Sequence, residues 1–175
     1  MKVTVIGDGG WGTANAMLLA GYGHDVTIWG AFANYIDEMR RTRKNAKFLP
    51  GVDLPEGLSL TADPAEAVAG SDVVVLAPPS KYFASVVEKF KGLVTDKMLV
   101  VSLTKGLCER TSRRMTELAE EILGIPDVVA LAGPTHAEEV SRGIPTAIVA
   151  ACRNLDRAKA VQRLWSGPRF RVYTS

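Results

Sequence analysis

The chain has only two cysteines in 175 residues, Cys108 and Cys152, far apart in sequence. That argues against a disulfide framework, and neither cysteine stands in a cluster with metal-ligand spacing, so no metal is expected. Histidine is as scarce: His24 and His136 are the only two. No Ser-His-Asp set or paired-carboxylate site is visible, and Glu138-Glu139 reads as a solvated helix face. No run approaches the ~20 apolar residues of a membrane span. The chain opens directly on strand residues, without the basic and apolar block of a signal peptide. The net charge of +2 is too small to argue for nucleic acid or an anionic membrane. The basic residues between Met39 and Lys47 and between Arg110 and Arg114 lack interleaved aromatics and read as solvated faces and turns. These absences point to a cytoplasmic globular protein with no nucleic acid and no membrane among its partners. The length suffices for one substantial core.

What is present begins at the first residue. An apolar strand, Val3–Ile6, runs into Gly7-Asp8-Gly9-Gly10-Trp11-Gly12 and then a helix, Trp11–Ala20. The G-x-G-x-x-G pattern alone is a weak signal, but between a strand and a helix each glycine has a separate task. Gly7 lets the chain turn tightly off the strand, Gly9 lets a pyrophosphate approach the backbone, and Gly12 lets the helix pack close to the sheet. The unpaired N–H groups and positive dipole end of the helix then face the phosphates. One residue expected of this motif is missing. About 20 residues on, an Asp or Glu usually bonds the ribose 2′-hydroxyl. Here the second strand ends in Trp29-Gly30-Ala31, with neither an acid nor an arginine for a 2′-phosphate. Arg40, Arg41 and Arg43 lie further along. Ala31, Phe32 or Tyr35 would hold the adenine by apolar contact, and NAD is not distinguished from NADP.

Strands and helices alternate along the rest. Strands are expected at Asp25–Trp29, Leu58–Leu60, Asp72–Ala77, Lys97–Leu103, Val128–Ala132, Thr146–Ala151 and Phe170–Tyr173. Helices are expected at Ala33–Arg43, Pro64–Ala69 after an Asp63 cap, Lys81–Phe90, Thr111–Leu123, Thr135–Arg142 and Asp156–Trp165. The continuous apolar run at Asp72–Ala77 is the kind a parallel strand buried on both faces requires. The alternation predicts an α/β, Rossmann-type doubly wound, mostly parallel sheet. Asn45–Glu56 is the longest irregular stretch, either an ordered loop near a ligand or a connector.

In such a sheet the ligand lies beyond the carboxyl ends of the strands. Two segments there stand out. Lys105, before Gly106, is by position either a compact cation for an anionic substrate or a surface lysine. Gly133-Pro134-Thr135 is either a site for a small polar ligand or an N-cap. His136 is of the residue type suited to general acid/base work, but it also fits as a helix-start residue facing the pocket or solvent.

Taken together, Gly7–Ala14, Asn45-Ala-Lys-Phe-Leu-Pro50, Ser102-Leu-Thr-Lys-Gly-Leu107, Gly133-Pro-Thr-His-Ala-Glu-Glu-Val140 and Gly143-Ile-Pro-Thr-Ala147 resemble the bacterial-type NAD(P)-dependent sn-glycerol-3-phosphate dehydrogenases. The resemblance implies hydride transfer between NAD or NADP and the pair dihydroxyacetone phosphate and sn-glycerol 3-phosphate, feeding glycerophospholipid synthesis. It assigns Gly10, Trp11, Ala31 and Ala137 to the dinucleotide, with Gly7, Gly9 and Gly12 shaping its turn. It assigns Lys105 to both the substrate and the nicotinamide region, Gly133 and Thr135 to the substrate, and Tyr82 to the nicotinamide pocket. The chain departs from the pattern at Ala31, where Arg or His is common, and at His136, where an aromatic is usual. The resemblance also implies a second, helical domain beyond Ser175, carrying the general acid/base lysine and much of a homodimer contact. Residues 1–175 are then a dinucleotide-binding domain, expected to bind cofactor weakly without turnover and able to be monomeric. The alternatives are another enzyme of this architecture, such as a ketopantoate reductase or 6-phosphogluconate-type dehydrogenase, and a non-catalytic dinucleotide-sensing module.

Overall fold

In the computed structural model, which describes residues 1–175, eight strands form one sheet. They are β1 (Lys2–Ile6), β2 (Asp25–Trp29), β3 (Ser59–Thr61), β4 (Val73–Leu76), β5 (Leu99–Ser102), β6 (Val129–Ala132), β7 (Thr146–Ala151) and β8 (Phe170–Thr174). Their order is β3-β2-β1-β4-β5-β6-β7-β8. Every neighbouring pair is parallel except β6 and β7. The winding reverses between β1 and β4, so the carboxyl ends of those two strands form the switch point where a doubly wound sheet takes its ligand.

The central strands are apolar on both faces because helices cover both. Successive residues of β4 point to opposite sides: Val73 and Val75 join one core cluster, Val74 and Leu76 the other. The first cluster is covered by α1 (Gly10–Gly21), α2 (Ala33–Thr42), α6 (Ala137–Ser141) and α7 (Leu155–Trp165). The second is covered by α3 (Pro64–Val68), α4 (Phe83–Val87) and α5 (Met115–Leu123). Fully buried Trp165 donates its indole N–H to Asn15 Oδ1 at 3.0 Å. That bond satisfies two buried polar groups and fixes α7 against α1 under the glycine turn. No helix is long and apolar enough to cross a membrane.

Three expected helices are shorter or broken. The Lys81–Phe90 segment is a 3-10 turn (Ser80–Tyr82), α4, and a second 3-10 turn (Glu88–Phe90). It enters from Pro78-Pro79, and Tyr82 N–H bonds Pro79 O at 2.9 Å. This tighter spiral still buries Phe83, Val87 and Phe90. The helix expected from Thr135 starts at Ala137, because Thr135 N–H turns back to Gly133 O at 3.0 Å and His136 is extended at the cap position. The helix expected from Thr111 starts only at Met115. Residues 107–114 instead close a turn, with Leu107 bridged to Arg114, Cys108 N–H on Arg113 O at 2.9 Å, and Ser112 at φ +53°.

The start of α5 is fixed by Glu117, whose Oε2 accepts from Arg114 N–H at 3.0 Å while its Oε1 accepts from the Arg114 guanidinium at 2.6 Å. The guanidinium first, and the backbone N–H second, lower the Glu117 carboxyl from 4.5 to about 2. A carboxyl lowered on folding stabilises the fold above its unfolded value. The contribution is therefore complete above pH 4.5 and is lost as the pH falls toward about 2. Glu117→Gln is expected to remove that part of the acid sensitivity. Urea midpoints of the two proteins, compared at about pH 6 and about pH 3, check it: their difference is larger at the higher pH.

Candidate functional site

The three motif glycines do different things. Gly7 has φ +121°, and a Cβ there would lie 2.9 Å from the carbonyl of Ala77, the residue after β4. Its N–H bonds Trp29 O at 2.8 Å, so the turn is held between the ends of β2 and β4. A Cβ on Gly12 would collide with Gly7 O and lie 3.1 Å from Ala77 Cβ. Both positions are glycine because the fold leaves no room for anything else. Gly9 is the opposite case. Its backbone is extended, at φ −65° and ψ 166°, a conformation any residue adopts. A Cβ there would meet nothing within 4 Å. Nothing inside the protein requires glycine at this position, so the requirement comes from what approaches the open side. Gly9 is also the cap of α1, and no side chain caps that helix. The first N–H groups of α1 are thereby open to an anion.

Gly10 marks where three segments meet. A Cβ on it would collide with Phe48 O and come within 3.6 Å of Ala137 Cβ. Residues 45–50 are therefore an ordered loop laid against the glycine turn, not a mere connector. Asn45 anchors it, a residue the sequence marks only as the first of the Asn45–Pro50 motif. Fully buried, Asn45 donates from Nδ2 to Asp8 O at 2.7 Å and to Thr13 Oγ1 at 2.8 Å. Its Oδ1 accepts from the Tyr35 hydroxyl at 2.7 Å and Phe48 N–H at 3.2 Å. The signal available was a lone amide in an otherwise basic and apolar loop, which is too weak to choose by.

The carboxyl ends of β1, β4, β5 and β6 open onto a cleft of about 470 Å³, lined by Gly9, Gly10, Trp11, Lys105, Thr135, His136 and Ala137 among others. That is within the ordinary range for a ligand site. Lys105 sits on its rim and donates to Thr135 O at 2.9 Å, with its ammonium 5.7 Å from the centre of the Trp11 ring. No carboxylate pairs with it, so its charge is free for an anion. Trp11 Nε1 is buried without a partner, one donor left over at the cleft wall.

Gly9, Gly10, Trp11, Lys105, Thr135 and Ala137 are thus gathered in one place, with His136 exposed beside them. Gly7 and Gly12 lie beneath the turn and shape it. Gly133 stands behind the cleft, a Cβ there being 3.1 Å from Ile148 Cγ1. Ala31 is exposed past the end of β2. Tyr82 is an exposed ring on the 3-10 turn after β4, with the Lys81 ammonium 5.6 Å above it. Arg40 is bonded to Asp37 and Leu60 O, and Arg43 to Leu58 O and Pro55 O. Tyr35 is bonded to Asn45, so it serves the loop. A second cavity lies beside the amino end of β6, the carboxyl ends of β7 and β8, and α5, bounded by Glu117, Asp127, Cys152, Arg153 and Ser175 among others. It contains no residue from the switch point between β1 and β4, where a doubly wound fold takes its ligand.

The family model for the NAD-dependent glycerol-3-phosphate dehydrogenase N-terminus matches residues 2–158. A glycerol-3-phosphate dehydrogenase [NAD(P)+] of Fusobacterium nucleatum is 42% identical over 177 aligned positions, which cover 100% of this chain and 53% of that protein. The crystal structure of glycerol-3-phosphate dehydrogenase from Coxiella burnetii is 32% identical and superposes with a TM-score of 0.92, over 99% of this chain and 53% of that one. A ketopantoate reductase from Ralstonia eutropha reaches a TM-score of 0.71 at 22% identity over 100% of this chain and 56% of its own, which shows a shared fold alone. The chain spans about half the length of these relatives. The glycine turn, the anchored loop and the Lys105–Thr135 cleft accordingly stand on a chain that belongs to the NAD-dependent glycerol-3-phosphate dehydrogenase N-terminal family.

Proposed function

We propose that this chain is the dinucleotide-binding half of an NAD(P)-dependent sn-glycerol-3-phosphate dehydrogenase, which interconverts dihydroxyacetone phosphate and sn-glycerol 3-phosphate. The observation that carries the reading is Gly9, a glycine with no internal reason, opening onto the cleft that holds Lys105. The residues present fit a dinucleotide: the uncapped N-terminus of α1 suits a pyrophosphate, and the orphan Trp11 indole N–H suits an acceptor. When bound, the nicotinamide supplies or accepts the hydride. The chain's own residues position and polarise. Lys105, held by Thr135 O, places a compact positive charge where an oxygen of the substrate becomes more negative as a ketone is reduced. The Gly133–Thr135 turn sets the wall of the substrate end, Ala137 backs the cofactor beside Gly10, and Tyr82 and Ala31 flank its two ends. The proton needed on ketone reduction comes, in this reading, from a lysine outside these residues.

Titration of the chain with NADH, followed by quenching of tryptophan fluorescence, tests the reading. Saturable binding is expected, with no oxidation of NADH when dihydroxyacetone phosphate is added. Absence of binding would overturn the dinucleotide assignment. Turnover by residues 1–175 alone would overturn the division of labour.

A further inference from the structure

Asp8 is the one charged side chain in the glycine turn, and one of its carboxylate oxygens has no hydrogen-bond partner. The carboxylate oxygen Oδ2 is buried without a partner, although the residue as a whole is only half-buried. Its backbone is fixed, since Asp8 O accepts from Asn45 Nδ2 at 2.7 Å and Thr13 Oγ1 at 3.3 Å. The side chain is directed at the end of β2: a Cβ on Gly30 would lie 2.9 Å from Asp8 Oδ2 and 2.6 Å from Ile36 Cδ1. Gly30 is the first residue after β2, the region from which an acid ordinarily reaches the ribose of a dinucleotide. In this chain that region is Gly30-Ala31-Phe32 and holds no acid. The carboxylate absent from β2 has its counterpart in Asp8, delivered to the same place from the glycine turn, and Gly30 is glycine because Asp8 and Ile36 fill the space beside it.

Burial pushes the Asp8 carboxyl above its ordinary value, opposed in part by its own backbone N–H and by the Lys47 ammonium. An oxygen kept buried and unbonded costs stability, and such a cost persists where a ligand supplies the missing donors. Two basic groups that would welcome a 2′-phosphate, Arg40 and Arg43, are bonded to backbone carbonyls, while the Lys47 ammonium lies 4.8 Å over the Phe48 ring and faces the Asp8 carboxyl.

We propose that Asp8 is the residue that sets cofactor specificity: its carboxylate accepts the hydroxyls of the adenosine ribose and repels a 2′-phosphate, so the chain takes NAD(H) in preference to NADP(H). The assignment rests on the dinucleotide reading above and adds to it which dinucleotide and by which group. It combines attraction for one ligand with like-charge repulsion of the other.

Calorimetric titration of the wild-type chain, Asp8→Asn and Asp8→Ala with NADH and with NADPH tests it. The wild type is expected to bind NADH at least about tenfold more tightly than NADPH. In Asp8→Ala, NADH weakens and the ratio falls below about threefold; in Asp8→Asn, which keeps the shape and removes the charge, NADPH gains most. Equal wild-type affinities, or a ratio unchanged in Asp8→Ala, would overturn the assignment. The wild-type ratio carries the test even where a variant loosens the fold. Thermal melting gives a second readout without ligand: Asp8→Asn is expected to melt no lower than wild type. Tight, equal binding of both dinucleotides would leave the cofactor site standing and remove only the role of Asp8, whereas binding of neither would remove both.

Discussion

Gly9→Ala is expected to leave the chain folded and to weaken NADH binding by at least about 100-fold, which is roughly 2.7 kcal/mol. The two halves of this expectation have separate causes. The backbone of Gly9 is extended and a Cβ there touches nothing within 4 Å, so the melting temperature is expected to stay within about 2 °C of wild type. A methyl group in that open space stands where the pyrophosphate must come against the backbone. Gly12→Ala supplies the contrast. Its Cβ would collide with Gly7 O, and overpacking of this kind costs about 1–3 kcal/mol or more, so both the melting temperature and binding fall. Melting curves and NADH titrations of the two variants check the pair. A Gly9→Ala chain that binds as tightly as wild type would show that the open side of the turn faces no ligand.

The second large effect is expected at Lys105. Lys105→Ala removes an exposed ammonium whose protein contacts are the 2.9 Å bond to Thr135 O and the approach to the Trp11 ring. Neither holds the core together, so the fold is expected to persist. In protein carrying the remainder of the relatives' length, kcat/KM for dihydroxyacetone phosphate is expected to drop about 10²–10³-fold, the scale of losing one well-placed electrostatic donor. NADH affinity is expected to change by only about threefold, because one rim contact is lost and the glycine turn is intact. Lys105→Arg is not expected to rescue activity, since a broad planar guanidinium cannot occupy the place of a compact ammonium. Full activity in Lys105→Ala would remove Lys105 from the substrate site.

Much of this was legible in the residues because local chemistry and tertiary position coincide there. The jobs assigned to Gly7 and Gly12 are the ones their surroundings impose, and the apolar run of β4 does lie between two helical layers. What could not be read depended on contacts across the chain. Thr111 begins a good helical pattern, yet Glu117 reaches back to Arg114 and the chain before it closes a turn with Ser112 at positive φ. Thr135 resembled the start of a helix, but its N–H returns to Gly133 O and the helix begins two residues later. Asn45 sits 37 residues from Asp8, and no spacing rule connects a loop amide to the glycine turn it fixes. Asp8 itself stands at a position between two glycines that the G-x-G-x-x-G pattern leaves unspecified. Only the placement of Oδ2 beside Gly30 relates it to the acid missing after β2.

The most direct test of the cofactor site is where NADH binds on the wild-type chain, followed by amide and indole NMR shifts of the isotopically labelled protein. Saturable shifts at Gly9, Gly10, Ala137 and the Trp11 indole, with Cys152 and Arg153 unmoved, are the predicted result. Shifts confined to the cavity around Cys152, Arg153 and Ser175, or none at all, would contradict it.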